Sequence, residues 1–221
     1  MCIIDKTRIK TLFLDYDGCL HNSLVIYAPA FRKAYAFLVE FGLAEPRDWQ
    51  DHEITPWLGY NSQEMWEHFQ PGLAATIRQH CMALVSTEMQ RQIKEGRPEL
   101  YPGALETLAT LKSRGYHLVF ISNCRTYYRD SQNQLFGLDH YFEELACSEA
   151  YGYTSKTEIL RLIRPRYPEG QVMIGDRAID LAAGKGNGLL TIGCTYGFAQ
   201  PGELDGADLL IDDIRELAAI F

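Results

Sequence analysis

The sequence lacks any pair of closely spaced cysteines. It contains no CxxC motif, and its six cysteines are scattered along 221 residues at Cys2, Cys19, Cys81, Cys124, Cys147 and Cys194. A disulfide framework is typical of small secreted domains, in which cysteines are dense and regularly spaced. We therefore predict free thiols in a reducing compartment, and from them a cytoplasmic protein.

Long apolar runs and an excess of positive charge are also lacking. The N-terminal apolar run is too short for a signal peptide and is interrupted by Asp5, and no run approaches the length that spans a membrane. Lys and Arg number 21 against 29 Asp and Glu, which leaves a formal net charge of -8. Nucleic-acid backbones and anionic membranes carry charge of the same sign. We expect neither as a partner, and we interpret the negative charge as ordinary solubility.

Short apolar runs, by contrast, recur along the chain. Hydrophobic residues make up 47% of the sequence and charged residues 23%, as in a soluble globular protein. Runs of strand length occur at 11–15, 117–122, 171–175, 189–193 and 207–211, with a shorter one at 144–148. They are nearly continuous rather than alternating, which is typical of parallel strands covered on both faces. Helical patterns separate them after residue 100. The predicted fold class is α/β, with a doubly wound, Rossmann-like parallel sheet.

The segment between the first two predicted strands differs from the rest. It carries helical patterns and no convincing strand. Phe31, Tyr35 and Leu38 have helical spacing, with Pro29 before them and Gly42 after them. The predicted domains are a core formed by 1–20 and 100–221 and an inserted helical domain at 21–99.

Polar residues follow the predicted strands at the ends where open α/β sheets bind ligands. They are Asp15, Asp17 and Gly18 after the first strand, Ser122 and Asn123 after the second, Asp176 and Asp180 after 171–175, and Lys156 at the start of the preceding helix. Converging carboxylates repel each other unless a cation neutralises them, and such hard oxygen ligands suit Mg²⁺. Hydroxyl, amide and ammonium donors match phosphate oxygens, and a glycine lets the backbone approach them. This combination indicates phosphoryl transfer.

Four segments of the chain resemble the ordered motifs of the haloacid dehalogenase superfamily. They are FLDYDG, FISN, Lys156 and IGDRAID. The resemblance covers the whole chain, because the helical insertion stands where that superfamily places a C1-type cap. A DxDG motif alone would be weak evidence, but four motifs in the right order, each at a predicted strand or helix end, are specific.

The resemblance implies a role for each candidate residue. Asp15 would attack phosphorus and form an aspartyl-phosphate, while Asp17 would act as general acid and then as general base. Mg²⁺ would be bound by Asp15, Asp176 and the backbone carbonyl of Asp17, with Asp180 orienting the metal shell. The phosphoryl oxygens would be held by Ser122, the backbone around Asn123 together with Gly18, and Lys156.

Asp17 also narrows the predicted reaction. The dehalogenase and phosphonatase branches lack an aspartate two residues after the nucleophile, so the resemblance favours a phosphatase or a phosphomutase. The segments around FISN and IGDRAID look most like those of phosphoglycolate phosphatases. We expect the substrate to be a small phosphorylated metabolite, because a closing C1 cap would exclude a protein or a duplex. A hexose-phosphate mutase and a non-catalytic binding module remain alternatives. The sequence leaves the metabolite and the oligomeric state open.

Three residues near the motifs have less specific interpretations. We interpret His21 as a polar residue of the hinge region rather than as a ligand. Cys19 and Cys124 have no identifiable base partner and are interpreted as small buried thiols. Arg177 could be a surface residue or a partner of the aspartates, and the sequence does not separate these alternatives.

Overall fold

A computed structural model describes residues 8–221 of the chain, so Cys2 and the start of the N-terminal segment lie outside it. The chain divides into two compact units. One is formed by the chain up to Asn22 together with Leu100–Phe221, and the other by Ser23–Glu99. Among the described residues, no helix combines the length and apolarity needed to cross a bilayer.

A six-stranded parallel sheet forms the centre of the first unit. Its strands are β1 (Thr11–Leu14), β2 (His117–Ser122), β3 (Glu144–Cys147), β4 (Gln171–Gly175), β5 (Leu190–Cys194) and β6 (Leu209–Ile211). Their order in the sheet is β3-β2-β1-β4-β5-β6, and every neighbouring pair is parallel. Each predicted apolar run forms a strand, and the predicted α/β fold class is confirmed.

Helices account for most of the remaining regular structure. Ser23–Glu99 contains α1 (Leu24–Glu40), α2 (Asp51–Ile54), α3 (Ser62–Phe69) and α4 (Ala75–Lys94). The sheet unit contains α5 (Ala104–Ser113), α6 (Thr126–Phe136), α7 (Lys156–Ile163), α8 (Ala178–Gly186) and α9 (Glu216–Ile220). Short 3-10 helices occur at Thr55–Trp57, Leu138–His140, Ser148–Tyr151 and Arg164–Arg166.

The first helix starts earlier than the predicted helical pattern. Helix α1 begins at Leu24, and Pro29 lies inside it. The first turn closes when the Tyr27 amide donates to the Ser23 carbonyl at 2.8 Å. Proline lacks an amide hydrogen and clashes with the preceding turn, so it usually marks a helix start. Here the apolar face begins before it, since Ile26 and Tyr27 are already buried, and their packing outweighs the local preference.

Apolar packing around the central strands makes the sheet a rigid support. Phe13 of β1, Val119 of β2 and Met173 of β4 are fully excluded from solvent and pack with Ile159 and Ile163 of α7. Burying one such side chain contributes roughly 1.5–3 kcal/mol. Strands covered by helices need apolar residues at successive positions, which explains the continuous runs in the sequence.

The strand order reverses between β1 and β4. From β1 the chain continues outward through β2 and β3, whereas β4 lies on the other side of β1 and leads outward through β5 and β6. Leu14 stands in register with Phe120 and with Ile174. The residues that follow these three positions therefore emerge at one edge of the sheet, where doubly wound folds bind their ligands.

Candidate active site

Three carboxylates meet at this edge of the sheet. One oxygen from each of Asp15, Asp176 and Asp180 lies within 4.8 Å of the others, and all three side chains are buried. Asp15 directly follows β1, Asp176 directly follows β4, and Asp180 lies in the first turn of α8. The parallel sheet and the start of α8 thus bring together residues far apart in sequence. We call these three residues the acidic cluster.

Lys156 supplies a positive charge to the acidic cluster. Its ammonium lies 2.9 Å from Asp15 Oδ1 and 2.6 Å from Asp180 Oδ1, with the lysine side chain 1% exposed. Burial lowers the pKa of Lys156, but the two carboxylates outweigh that effect and raise it above its usual value. Lys156 is therefore charged at neutral pH. With all four groups ionised, three negative charges and one positive charge leave a net charge of -2.

The remaining negative charge is unfavourable in a buried site. Burial, and then repulsion from Asp180, raise the pKa of Asp15 to about 8 although Lys156 opposes the shift. Burial also raises the pKa of Asp176 well above its usual range, followed by repulsion from Asp180 and Asp15. Both shifts show that the protein alone does not neutralise the cluster, because a carboxylate becomes a weaker acid where its charge is poorly compensated.

Hydrogen bonds fix two of the carboxylates but leave one oxygen without a partner. Asp180 Oδ2 accepts from the Arg177 amide at 3.0 Å, and its other oxygen accepts from Lys156. Asp176 Oδ2 accepts from the Phe198 amide at 2.6 Å. Asp176 Oδ1 is buried and has no hydrogen-bond partner among the described residues. A buried, unpartnered carboxylate oxygen is costly, so this atom has the character of a cation ligand.

The acidic cluster fits a divalent cation. Its ligand atoms are carboxylate oxygens, and the charge of Mg²⁺ balances the net charge of -2 that the cluster has together with Lys156. Asp176 Oδ1 also lacks a partner among the described residues. The side chain of Asp17 does not belong to this cluster. The predicted part of Asp17 in metal binding concerns its backbone carbonyl, and that role stays a prediction.

Gly18 allows the first loop to pass directly over the cluster. Its φ is +82°, and a Cβ at this position would lie 2.0 Å from Asp176 Oδ2. Any other residue would therefore be strained in its backbone and would collide with a carboxylate. The glycine of the DxDG segment is required by space as well as by conformation.

Asp17 points to a different set of partners from those of Asp15. Its Oδ1 atom accepts a hydrogen bond from the Tyr128 hydroxyl at 2.7 Å and lies 3.1 Å from His21 Nδ1. The Asp17 side chain is 20% exposed, in contrast to the buried acidic cluster. The two aspartates of the first loop are thus separated into different environments, which suits different chemical roles.

Comparison with known proteins identifies the family. A model of the haloacid dehalogenase-like hydrolases matches residues 9–188. The chain belongs to the haloacid dehalogenase-like hydrolases. The predicted superfamily is confirmed, and with it the prediction that the chain is an enzyme.

Relatives of this hydrolase extend over its whole length. A phosphoglycolate phosphatase from Haemophilus influenzae is 28% identical over 237 aligned positions, which cover 97% of this chain and 99% of that protein. A glyceraldehyde 3-phosphate phosphatase from Methanothermobacter thermautotrophicus is 24% identical, and the alignment covers 96% of this chain and 99% of that protein. A crystal structure of CbbY from Rhodobacter sphaeroides in complex with phosphate superimposes with a TM-score of 0.77 at 23% identity, covering 95% of this chain and 96% of that one. At that identity the structural match establishes the shared fold.

The second motif of the hydrolase lies at the same edge of the sheet. Ser122 is the last residue of β2 and is 2% exposed. It stands two positions beyond Phe120, the register partner of Leu14, and so reaches the level of the loop after β1. The carbonyl of Asn123 accepts a hydrogen bond from the Ser148 hydroxyl at 2.9 Å, which holds the turn after β2. The predicted contact of Ser122 and Asn123 with phosphate stays a prediction.

Several contacts of the site were not predicted from the sequence. Tyr128 was not identified, and His21 was interpreted as a hinge residue although it is fully buried beside Asp17. Arg177 is buried and forms an ion pair with Glu203 at 2.7 Å, so the alternative of a surface residue is wrong. The signal that could have suggested His21 is its position four residues after Asp17. Nothing in the sequence distinguishes Tyr128 from its neighbour Tyr127.

Proposed function

We propose that this hydrolase removes the phosphoryl group of a small phosphorylated metabolite through an aspartyl-phosphate on Asp15. The observation that carries the proposal is the acidic cluster with the Lys156 ammonium between Asp15 and Asp180. A carboxylate beside a buried cation at a sheet edge is equipped to attack phosphorus. A buried charged group of this kind would be unfavourable if its role were only structural, because buried charges lower the stability of the fold.

The proposed reaction divides the work between the two aspartates of the first loop. A carboxylate oxygen of Asp15 attacks phosphorus, and the bond from phosphorus to the leaving oxygen breaks as Asp17 gives that oxygen a proton. A water molecule then attacks the phosphorus of the aspartyl-phosphate and gives its proton to Asp17. Inorganic phosphate and free Asp15 result. Lys156, Ser122 and the backbone near Asn123 and Gly18 hold the phosphoryl oxygens in this proposal.

We further propose Mg²⁺ as the cofactor. Asp15 and Asp176 would hold it together with the backbone carbonyl of Asp17, while Asp180 would orient the metal shell from its place between Lys156 and the Arg177 amide. When bound, the cation offsets negative charge on the carboxylates and on the phosphoryl group. The unpartnered Asp176 Oδ1 supports this assignment.

The relatives support a small substrate. Two of them are named as phosphatases of phosphoglycolate and of glyceraldehyde 3-phosphate, both short phosphorylated carbon compounds. We propose a phosphoglycolate-like monoester as the substrate class and the unit Ser23–Glu99 as a C1-type cap that selects it. The five described cysteines are all free, which supports the proposed cytoplasmic location.

Phosphate release by wild type and by Asp15→Asn tests the function. Wild type should hydrolyse 2-phosphoglycolate and p-nitrophenyl phosphate only with Mg²⁺ present. Asp15→Asn should lose at least about 1000-fold in kcat, because an amide does not replace a carboxylate nucleophile. Asp139→Asn, which changes an aspartate that is 64% exposed, is the matched control and should behave as wild type.

Each alternative predicts a different result. Conversion of a hexose phosphate to its isomer without net phosphate release would indicate the mutase. Inactivity of wild type across a broad metabolite panel would favour the binding module. Hydrolysis that survives in Asp15→Asn would disprove the proposed mechanism.

A further inference from the structure

Helix α6 contacts the loop after β1 through two side chains one turn apart. The Tyr128 hydroxyl reaches Asp17, and the Tyr16 hydroxyl donates to Gln132 Oε1 at 2.7 Å. Gln132 is fully buried and Tyr128 is 9% exposed. Positions four apart lie on the same face of a helix, so both bonds tie one face of α6 to the DYDG loop. None of the motifs found in the sequence includes α6.

Asp17, His21 and Tyr128 form a closed triangle. The Tyr128 oxygen lies 2.7 Å from Asp17 Oδ1 and 3.0 Å from His21 Nδ1, and His21 Nδ1 lies 3.1 Å from the same Asp17 oxygen. The ring of Tyr16 stacks on the imidazole at 5.1 Å with an interplanar angle of 10°, which fixes the plane of His21. The imidazole is fully buried and cannot swing into solvent.

The triangle determines which nitrogen of His21 carries hydrogen. A bare Nδ1 lone pair would face the Asp17 carboxylate, which is repulsive. A hydrogen on Nε2 would be left without an acceptor, since Nε2 is buried and has no partner among the described residues. The favoured arrangement therefore places a hydrogen on Nδ1. His21 Nδ1–H and the Tyr128 hydroxyl then both point at Asp17 Oδ1.

We propose that Tyr128 and His21 are positioning residues that hold Asp17 Oδ1, so that Oδ2 is the oxygen that exchanges the catalytic proton. This inference rests on the proposed function, in which Asp17 is the general acid and base. Both side-chain contacts that Tyr128 and His21 make with Asp17 are to Oδ1. Two donors on one oxygen draw the negative charge there and lock the carboxyl rotation. Oδ2 is thereby directed away from the triangle, toward a leaving oxygen or an attacking water.

The dependence on the leaving group tests this positioning role. An alkoxide needs a proton as it departs from 2-phosphoglycolate, whereas p-nitrophenolate leaves without one. Tyr128→Phe should therefore lower kcat/KM for 2-phosphoglycolate by about 10- to 100-fold, as expected for impaired general acid catalysis. It should change kcat/KM for p-nitrophenyl phosphate by less than about threefold. A purely structural defect would lower both values alike.

Matched variants separate positioning from packing. Tyr127→Phe alters the adjacent tyrosine, which is 44% exposed, and should match wild type with both substrates. His21→Leu should reproduce the selective loss, while His21→Asn should restore part of the activity because its amide nitrogen can replace Nδ1–H as the donor. The His21 pair gives the same comparison if Tyr128→Phe is unstable.

The outcomes distinguish this inference from the proposed function. Equal losses with both substrates, or no loss with either, in the Tyr128 and His21 variants would overturn the positioning role while the phosphatase assignment stands. Wild type that hydrolyses neither substrate would overturn the proposed function and the inference together. A loss confined to the alkyl phosphate supports both.

Discussion

Lys156 shows at the residue scale why a locally unfavourable side chain is present. It opens helix α7, where a positive charge opposes the helix dipole. The structure places its ammonium between Asp15 and Asp180, and these two ion pairs outweigh the local cost. A lysine that is 1% exposed would otherwise be charged with no partner, so the site and the residue stabilise each other.

Replacement of Lys156 should destabilise the metal-free protein strongly. Lys156→Met removes the cation between two buried carboxylates. Loss of one partner of a buried ion pair lowers the free energy of unfolding by about 3–5 kcal/mol. The loss should be larger at pH 8 than at pH 5, because the pKa of Asp15 is raised further and its ionisation then opposes folding. Thermal unfolding of wild type and of Lys156→Met between pH 5 and pH 8 measures this loss of stability.

The exposed Lys10 provides the control for that measurement. Lys10→Met changes a lysine in contact with solvent and should move Tm by no more than about 1–2 °C. A Lys156→Met protein as stable as wild type at pH 8 would contradict the assigned charge balance.

At the scale of elements, the loop that follows β5 supports the acidic cluster from outside the motifs. The Phe198 amide donates to Asp176 Oδ2, and the Tyr196 hydroxyl donates to the Cys19 carbonyl at 2.8 Å. A Cβ at Gly197 would lie 2.4 Å from both Asp176 Cβ and the Gly18 carbonyl oxygen. The loop thus holds both the aspartate and the turn after β1.

Gly197→Ala should therefore disturb the site by steric displacement alone. The added methyl group has to displace Asp176 or the loop after β1, which we expect to cost about 1–3 kcal/mol and to lower kcat/KM by at least about tenfold. Gly72→Ala is the matched control, since a Cβ at Gly72 meets nothing within 4 Å. Steady-state kinetics and thermal unfolding test the pair. Full activity in Gly197→Ala would exclude the loop as a support of Asp176.

At the scale of the whole molecule, the acidic cluster couples stability to pH and to cations. Burial first, then Asp180, raises the pKa of Asp15 from 3.8 to about 8. A group whose pKa is raised by folding contributes its full stabilisation at pH values below its pKa in the unfolded chain. That stabilisation is lost as pH rises through its pKa in the folded protein. Asp15 should therefore destabilise the metal-free protein progressively between about pH 4 and pH 8, and Asp176 acts in the same direction.

A cation should reverse this loss. The Tm difference between samples with Mg²⁺ and with a chelator should grow from pH 5 to pH 8, because a ligand that binds only the folded state adds stability. At pH 8 without Mg²⁺, Asp176→Asn should unfold at a higher temperature than wild type, by roughly 3–8 °C, because Asn cannot ionise whereas ionisation of the buried Asp176 opposes folding. The Tm of this variant should rise little when Mg²⁺ is added. A Tm of wild type that does not respond to Mg²⁺ at pH 8 would argue against the proposed metal site.

Much of the fold followed from local patterns in the sequence. Continuous apolar runs determined the strands, because a parallel strand covered on both faces has no solvent-facing side. The four motifs identified the family because they occur in order at strand or helix ends. The sequence did not indicate that α1 begins before Pro29, because proline disfavours helix interiors locally, whereas burial of Ile26 and Tyr27 is a tertiary effect.

The sequence by itself determined the candidate residues for the proposed chemistry: Asp15, Asp17, Lys156 and Asp176 are recognisable by type and spacing. Only the tertiary structure decided their environments. Lys156 pairs with Asp15 across 141 positions of sequence, and Tyr128 contacts Asp17 across 111. Helical spacing is the same for Tyr127 and Tyr128, so no local signal selects the one that reaches the site. That choice depends on the packing of α6 against the sheet, which arises from contacts distant in sequence.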